Sequence, residues 1–124
     1  MTSLSLIGYW RSEGDLTSAF PDPRDWVDPS WDQDERDATS YYFAAGTLFR
    51  TFMGYSPCRI CGVDNGVVEY TDGTYVWPEG LAHYIDEHAV RLPDVLVAHA
   101  RERLNAVEDR EAAPDWWLTA TAKT

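Results

Sequence analysis

Cys58-Arg59-Ile60-Cys61-Gly62 and, with 21 residues between Cys61 and His83, His83-Tyr84-Ile85-Asp86-Glu87-His88 decide how the middle of this chain folds. Two thiols separated by two residues, with Gly62 following, close a tight turn in which both sulfurs can face one ion about 2.3 Å away. Two histidines with four residues between them lie within the spacing that imidazole ligands use on one helix, and this wider spacing predicts a helix that ends or distorts near His88. The 21 residues between the pairs are enough chain for a hairpin and a turn that return the helix to the thiols. Cys58, Cys61, His83 and His88 are read as the ligands of one structural Zn2+ in a closed tetrahedral site.

The neighbouring sequence supplies the remaining elements. Val67 to Tyr70 and Thr74 to Trp77 are rich in β-branched and aromatic residues and flank Thr71-Asp72-Gly73, a hairpin signal. Pro78 suits a first helical position, and Leu81, Tyr84, Ile85 and His88 follow at helical spacing. Upstream, Trp31, Ala38, Tyr42, Ala45, Phe49 and Phe52 recur at three-, four- and seven-residue steps and predict a long helix over 32–53. Asp32 and Glu35 form its expected capping box and Gly54 its stop. Gly46 inside it costs about 1 kcal/mol relative to Ala and therefore predicts a close contact or a bend. Downstream, Leu96, Ala100, Leu104 and Val107 predict a helix over 94–112 behind Pro93.

The ends are less regular. Leu4 to Trp10 reads as a short strand, and Arg11 to Ser30, with Pro21, Pro23 and Pro29, as an irregular stretch whose Phe20, Trp26 and Val27, with Trp31 just beyond it, lie down on the core. Trp116 and Trp117 are expected to pack back onto the domain, because Trp is more often a core residue than an exposed anchor. The expected organisation is a single α+β domain over 1–118. It comprises an aromatic and acidic region (1–31), the long helix (32–53), a zinc module (58–88) and a C-terminal helix (94–112), followed by a frayed tail over 119–124.

Residues 58 to 88 resemble a zinc finger of the two-Cys, two-His kind, in the order knuckle, hairpin, helix. The spacer departs from DNA-binding fingers, which have about 12 residues there, and the order equally suits a treble-clef arrangement. Cys58 to Gly62 together with Trp77 to Tyr84 is also similar to uncharacterised small bacterial zinc proteins, a likeness that implies no activity.

Composition limits the function. The chain has 124 residues with a hydrophobic content of 44%, enough for one folded core, and its two cysteines are too close together for a structural disulfide loop. With 10 basic against 21 acidic residues its net charge is -11, which repels nucleic acid and anionic membranes. Seven acids between Asp22 and Asp37 face only Arg24 and Arg36, a surface suited to a basic protein partner. No apolar run approaches a bilayer span, and a soluble cytoplasmic protein is expected.

Catalytic readings fit poorly. A redox pair needs its Cys-x2-Cys at a strand-to-helix junction, whereas a hairpin follows here. Pro57 with Cys58 and Cys61 matches half of the zinc-deaminase signature, but no histidine precedes His83 to supply the other half. Glu79 and Glu87 read as helix-surface acids, and His99 as a satisfied, partly buried histidine. The expected function is therefore a non-enzymatic protein-interaction module of inhibitor, immunity or adaptor type. The alternative is a small zinc metalloenzyme, and the third reading, a nucleic-acid-binding finger, is opposed by charge.

Overall fold

The structure, a computed structural model, describes residues 3–123; Met1, Thr2 and Thr124 lie outside the described residues. Four helices and a mixed four-stranded sheet form an α+β domain. The sheet grows from the hairpin that the sequence predicts, β3 (Val68–Thr71) and β4 (Tyr75–Pro78), with Tyr70 opposite Trp77. Its turn is fixed by Asp72, whose Oδ1 accepts from the Thr74 and Tyr75 amides at 2.9 Å each, and by Gly73 at φ +91, a conformation Gly adopts without strain. β1 (Ser5–Leu6) pairs parallel to β4 and β2 (Thr47–Thr51) antiparallel to β3, giving the order β1-β4-β3-β2. β4 is central, and Val76 and Trp77 are both buried.

The expected helix over 32–53 is corrected. Helix α1 is Gln33–Phe43, and the chain then enters β2. Its start matches the expectation, since Asp32 accepts the Glu35 amide at 3.0 Å. Glu35 does not complete a capping box; it accepts from the Trp31 indole at 2.8 Å and Arg101 at 2.9 Å. Beyond Gly46, Thr47-Leu48-Phe49-Arg50-Thr51 combines β-branched and aromatic residues, and strand pairing with β3 wins over a weak apolar period. Gly46 still marks a close approach, as a Cβ there would lie 2.8 Å from Tyr70 Cβ and 3.1 Å from Trp77 Cζ2. Gly54, at φ +86, turns the chain after the strand and does not stop a helix.

Helix α2 is Leu81–His88; Pro78, expected at its start, instead ends β4. Helix α3 is Asp94–Glu108, stopping short of residue 112, with Leu96, Val97 and Ala100 buried and Val107 exposed. Helices α1, α2 and α3 join one core of Trp31, Phe43, Trp77, Leu81, Ile85, Leu92, Leu96, Val97 and Ala100. Phe43 meets Trp77 edge-on at 5.0 Å, and the Trp77 indole donates to the Phe43 carbonyl at 3.0 Å, so the largest core ring is both packed and satisfied.

The predicted strand at Leu4 to Trp10 shortens to Ser5–Leu6. The following stretch is irregular apart from a 3-10 turn at Pro23–Trp26, and it is tied down by a Val27–Val90 bridge and by the Arg91 amide donating to the Trp26 carbonyl at 2.9 Å. Of its expected core residues only Trp31 is buried, while Phe20, Trp26 and Val27 stay about half-exposed.

The C-terminal expectations are corrected too. Trp116 and Trp117 lie on helix α4 (Asp115–Ala120) and are 76% and 63% exposed. Thr119 and Ala120, expected in the frayed tail, are helical. The connection from Asp109 to Pro114 offers no large apolar side chain to dock this helix on the domain. Among the described residues no helix is long and apolar enough to cross a membrane.

Candidate metal centre

Each ligand pair sits on a local structure with its own cause. Cys58 and Cys61 lie in a miniature hairpin closed by the Pro57–Asp64 bridge, with the Cys58 amide donating to the Val63 carbonyl at 2.8 Å and the Gly62 amide to the Cys58 carbonyl at 2.9 Å. Gly62 adopts φ +78, which lets the turn close after the second thiol. The Ile60 amide donates to Cys58 Sγ at 3.4 Å, which holds that sulfur on the inner side of the turn.

His83 lies in the first turn of α2 and His88 is its last residue. Five positions apart on an ideal helix, two side chains diverge by about 140°. The helix ends at His88, where Ala89 turns left-handed at φ 53 and donates to the Tyr84 carbonyl, and the two imidazole rings are 5.0 Å apart. The distortion that the spacing predicts is present at the second histidine.

The knuckle is locked to α2 and to the Pro23–Trp26 turn by residues the ligand pattern does not identify. The Tyr84 hydroxyl accepts the Arg59 amide at 2.8 Å, and Tyr84 packs with Cys58 and Val90 in a second core cluster. Burial pushes that hydroxyl up to about 12, against the Arg59 amide and with the Cys58 sulfur. Arg24 donates to the Arg59 carbonyl at 2.5 Å and Asn65 to the Gly80 carbonyl at 3.1 Å. Glu79, expected as a helix-surface acid, is instead a tie: its Oε1 accepts the Val67 amide at 2.5 Å and the Val68 amide at 3.2 Å. The approach is tight enough that a Cβ on Gly66 would fall 2.1 Å from Glu79 Cγ, and one on Gly80 2.3 Å from Asn65. Glycines three residues before His83 and five after Cys61 were the available signal. Glu87 is exposed on the helix surface, as expected.

Cys58, Cys61, His83 and His88 thus form a candidate metal site, with all four ligand atoms within 4.8 Å of one another. Tetrahedral zinc holds thiolate and imidazole donors roughly 3.3–3.8 Å apart, and Cys61 Sγ already stands 3.4 Å from His83 Nε2. His88 Nε2 is buried without a hydrogen-bond partner among the described residues. Unpartnered buried polar atoms are rare because each forfeits its hydration, and a cation at the centre of the cluster would satisfy this one. Burial, reinforced by His83, lowers the His88 imidazole from its ordinary value and favours the neutral form that binds metals.

His99 lies apart from this cluster and is satisfied. It is 2.7 Å from Asp72 Oδ2, which also accepts the Tyr42 hydroxyl at 2.5 Å, and the Tyr75 ring lies edge-on at 4.9 Å. Burial alone would raise the Asp72 carboxyl, but hydrogen bonds from Tyr42, the Tyr75 and Thr74 amides and His99 outweigh it and hold the group well below the usual carboxylate range.

The fold and the donor set define a small α+β domain with a Cys2His2 candidate metal site. No family model, curated protein or solved structure matches the chain.

Proposed function

We propose that Cys58, Cys61, His83 and His88 hold one Zn2+ as a structural staple in a non-enzymatic protein-interaction module whose acidic surface meets a basic partner. The observation that carries the metal assignment is the convergence of four donors around the otherwise unpartnered His88 Nε2. Two thiols and two imidazoles suit tetrahedral zinc better than the harder oxygen-seeking cations. Four protein donors would complete that shell without an open position for water, which favours a staple over a hydrolytic centre. The ion would join the knuckle to the end of α2. Because the knuckle is separate from the β3–β4 hairpin, its order is closer to a treble clef than to a finger whose hairpin carries both cysteines.

The partner rests on the acids between Asp22 and Asp37. Asp22, Asp28, Asp32 and Glu35 are engaged within the chain as caps or ion pairs. Asp25, Asp34 and Asp37 remain exposed, and the half-exposed Trp26 follows Asp25 in the chain, a combination suited to a basic surface with an apolar centre. Affinity capture from the native host with the wild-type chain and with an Asp25→Asn/Asp34→Asn/Asp37→Asn variant tests this. The reading expects a basic protein that the wild type retains and the variant loses; equal recovery by both contradicts it.

A further inference from the structure

Two sets of exposed apolar side chains carry opposite charge. From Ala38 to Val63 there is no Asp or Glu, although the chain has 21 acids, and the charges present are Arg50 and Arg59. This stretch contains β2, the outer strand of the sheet, all five of whose residues are exposed. After it, Phe52, Met53 and Tyr55 are 48%, 104% and 65% exposed. With Tyr9, Val67 and Pro78 they line a groove of about 280 Å³ bounded by no charged side chain. That is below the roughly 300–1,000 Å³ of pockets for drug-sized ligands and suits a single aromatic side chain. Beside the groove, the Arg50 side chain is 65% exposed even though it lies 3.7 Å from the buried Glu69 carboxylate.

The second set is the C-terminal segment. Glu108, Asp109, Glu111 and Asp115 stand there against Arg110, and the segment ends in Trp116, Trp117 and Leu118, all at least 62% exposed. Among the described residues helix α4 makes no substantial packing with another element. Exposed apolar patches of this kind mark contact sites, and Trp is the commonest energetic anchor in them.

We infer that the Trp116–Trp117 helix of one copy of this chain docks in the Phe52–Tyr55 groove of a second copy, and reciprocally, so that two copies form a two-fold dimer. The acidic segment meets the acid-free region, and each copy supplies both halves of the contact, as an isologous interface requires. Reach favours the second copy over the chain's own groove. Val107, at the end of α3, and Thr47, at the start of β2, line the same hollow, so the groove lies beyond the far end of the strand. A strand of five residues covers about 17 Å. The six-residue tether Asp109 to Pro114 spans about 20–22 Å when fully extended, so docking in the chain's own groove would require it to be drawn nearly straight.

Light scattering coupled to size exclusion, on the zinc-loaded full chain over a concentration series, tests the inference. The mass should rise from 14.1 kDa toward twice that value with concentration, and added salt should weaken the association. Trp116→Ala/Trp117→Ala should weaken it at least about tenfold, as should Arg50→Glu, and adding Asp115→Lys to Arg50→Glu should restore it. The tryptophans are exposed, so the double variant keeps its core, and circular dichroism confirms that it is folded. A chain that stays monomeric at every concentration overturns the inference. So does a dimer unaffected by the Trp variant, which would indicate direct β2-to-β2 pairing.

Discussion

His83→Ala removes a donor that stands 3.4 Å from Cys61 Sγ, and Cys58→Ser replaces a buried thiol that accepts the Ile60 amide. Either change is predicted to lower the melting temperature by more than packing loss explains, because metal binding supplies folding free energy, and to abolish the sensitivity of that temperature to chelator. Equal melting of parent and variants, with and without chelator, would contradict a structural role. A second prediction concerns Asp72. Its folded pKa lies below the ordinary value of 3.8, so its stabilisation is fully present above that pH and is lost as pH falls toward the folded value. Melting temperature should therefore drop below about pH 4, and Asp72→Asn should cost about 1–3 kcal/mol at neutral pH while flattening the acid limb. The candidate quartet was legible in the sequence because it uses both cysteines and two of the three histidines of the chain. Glu79, Asn65 and Tyr84 were not, because their roles arise only when the 58–68 segment lies against 79–84.

Hairpin β3–β4 was legible because Asp72-Gly73 dictates its turn locally. Helix α1 was half legible: Asp32 marks its start, but its end depends on a pairing with β3 that no local pattern announces. Gly46 shows the difference, since the close contact it implied is real while the element around it is a strand entry. At this scale Gly66→Ala is the most diagnostic change. It forces a side chain onto φ +102 and into Glu79, and should cost about 1–3 kcal/mol. It should also weaken metal retention against a competing chelator, since the same loop holds the knuckle to α2. A melting curve and a chelator titration of one variant check both effects.

Across the molecule, the parallel pairing of β1 with β4 joins residues far apart in sequence and could not be read from either alone. Nor could the exposure of Trp116 and Trp117, because composition favours burial and only the polar tether explains its absence. The net charge of -11 predicts self-repulsion that salt relieves, so moderate salt should raise the melting temperature while loosening the dimer, two opposite responses from one variable. The central claim is that a closed zinc site staples the knuckle to α2. Zinc-edge X-ray absorption on protein purified without added metal tests it most directly. The account predicts one zinc per chain with two sulfurs at about 2.3 Å and two nitrogens at about 2.0 Å; a protein without zinc, or a shell containing an exchangeable oxygen, would contradict it.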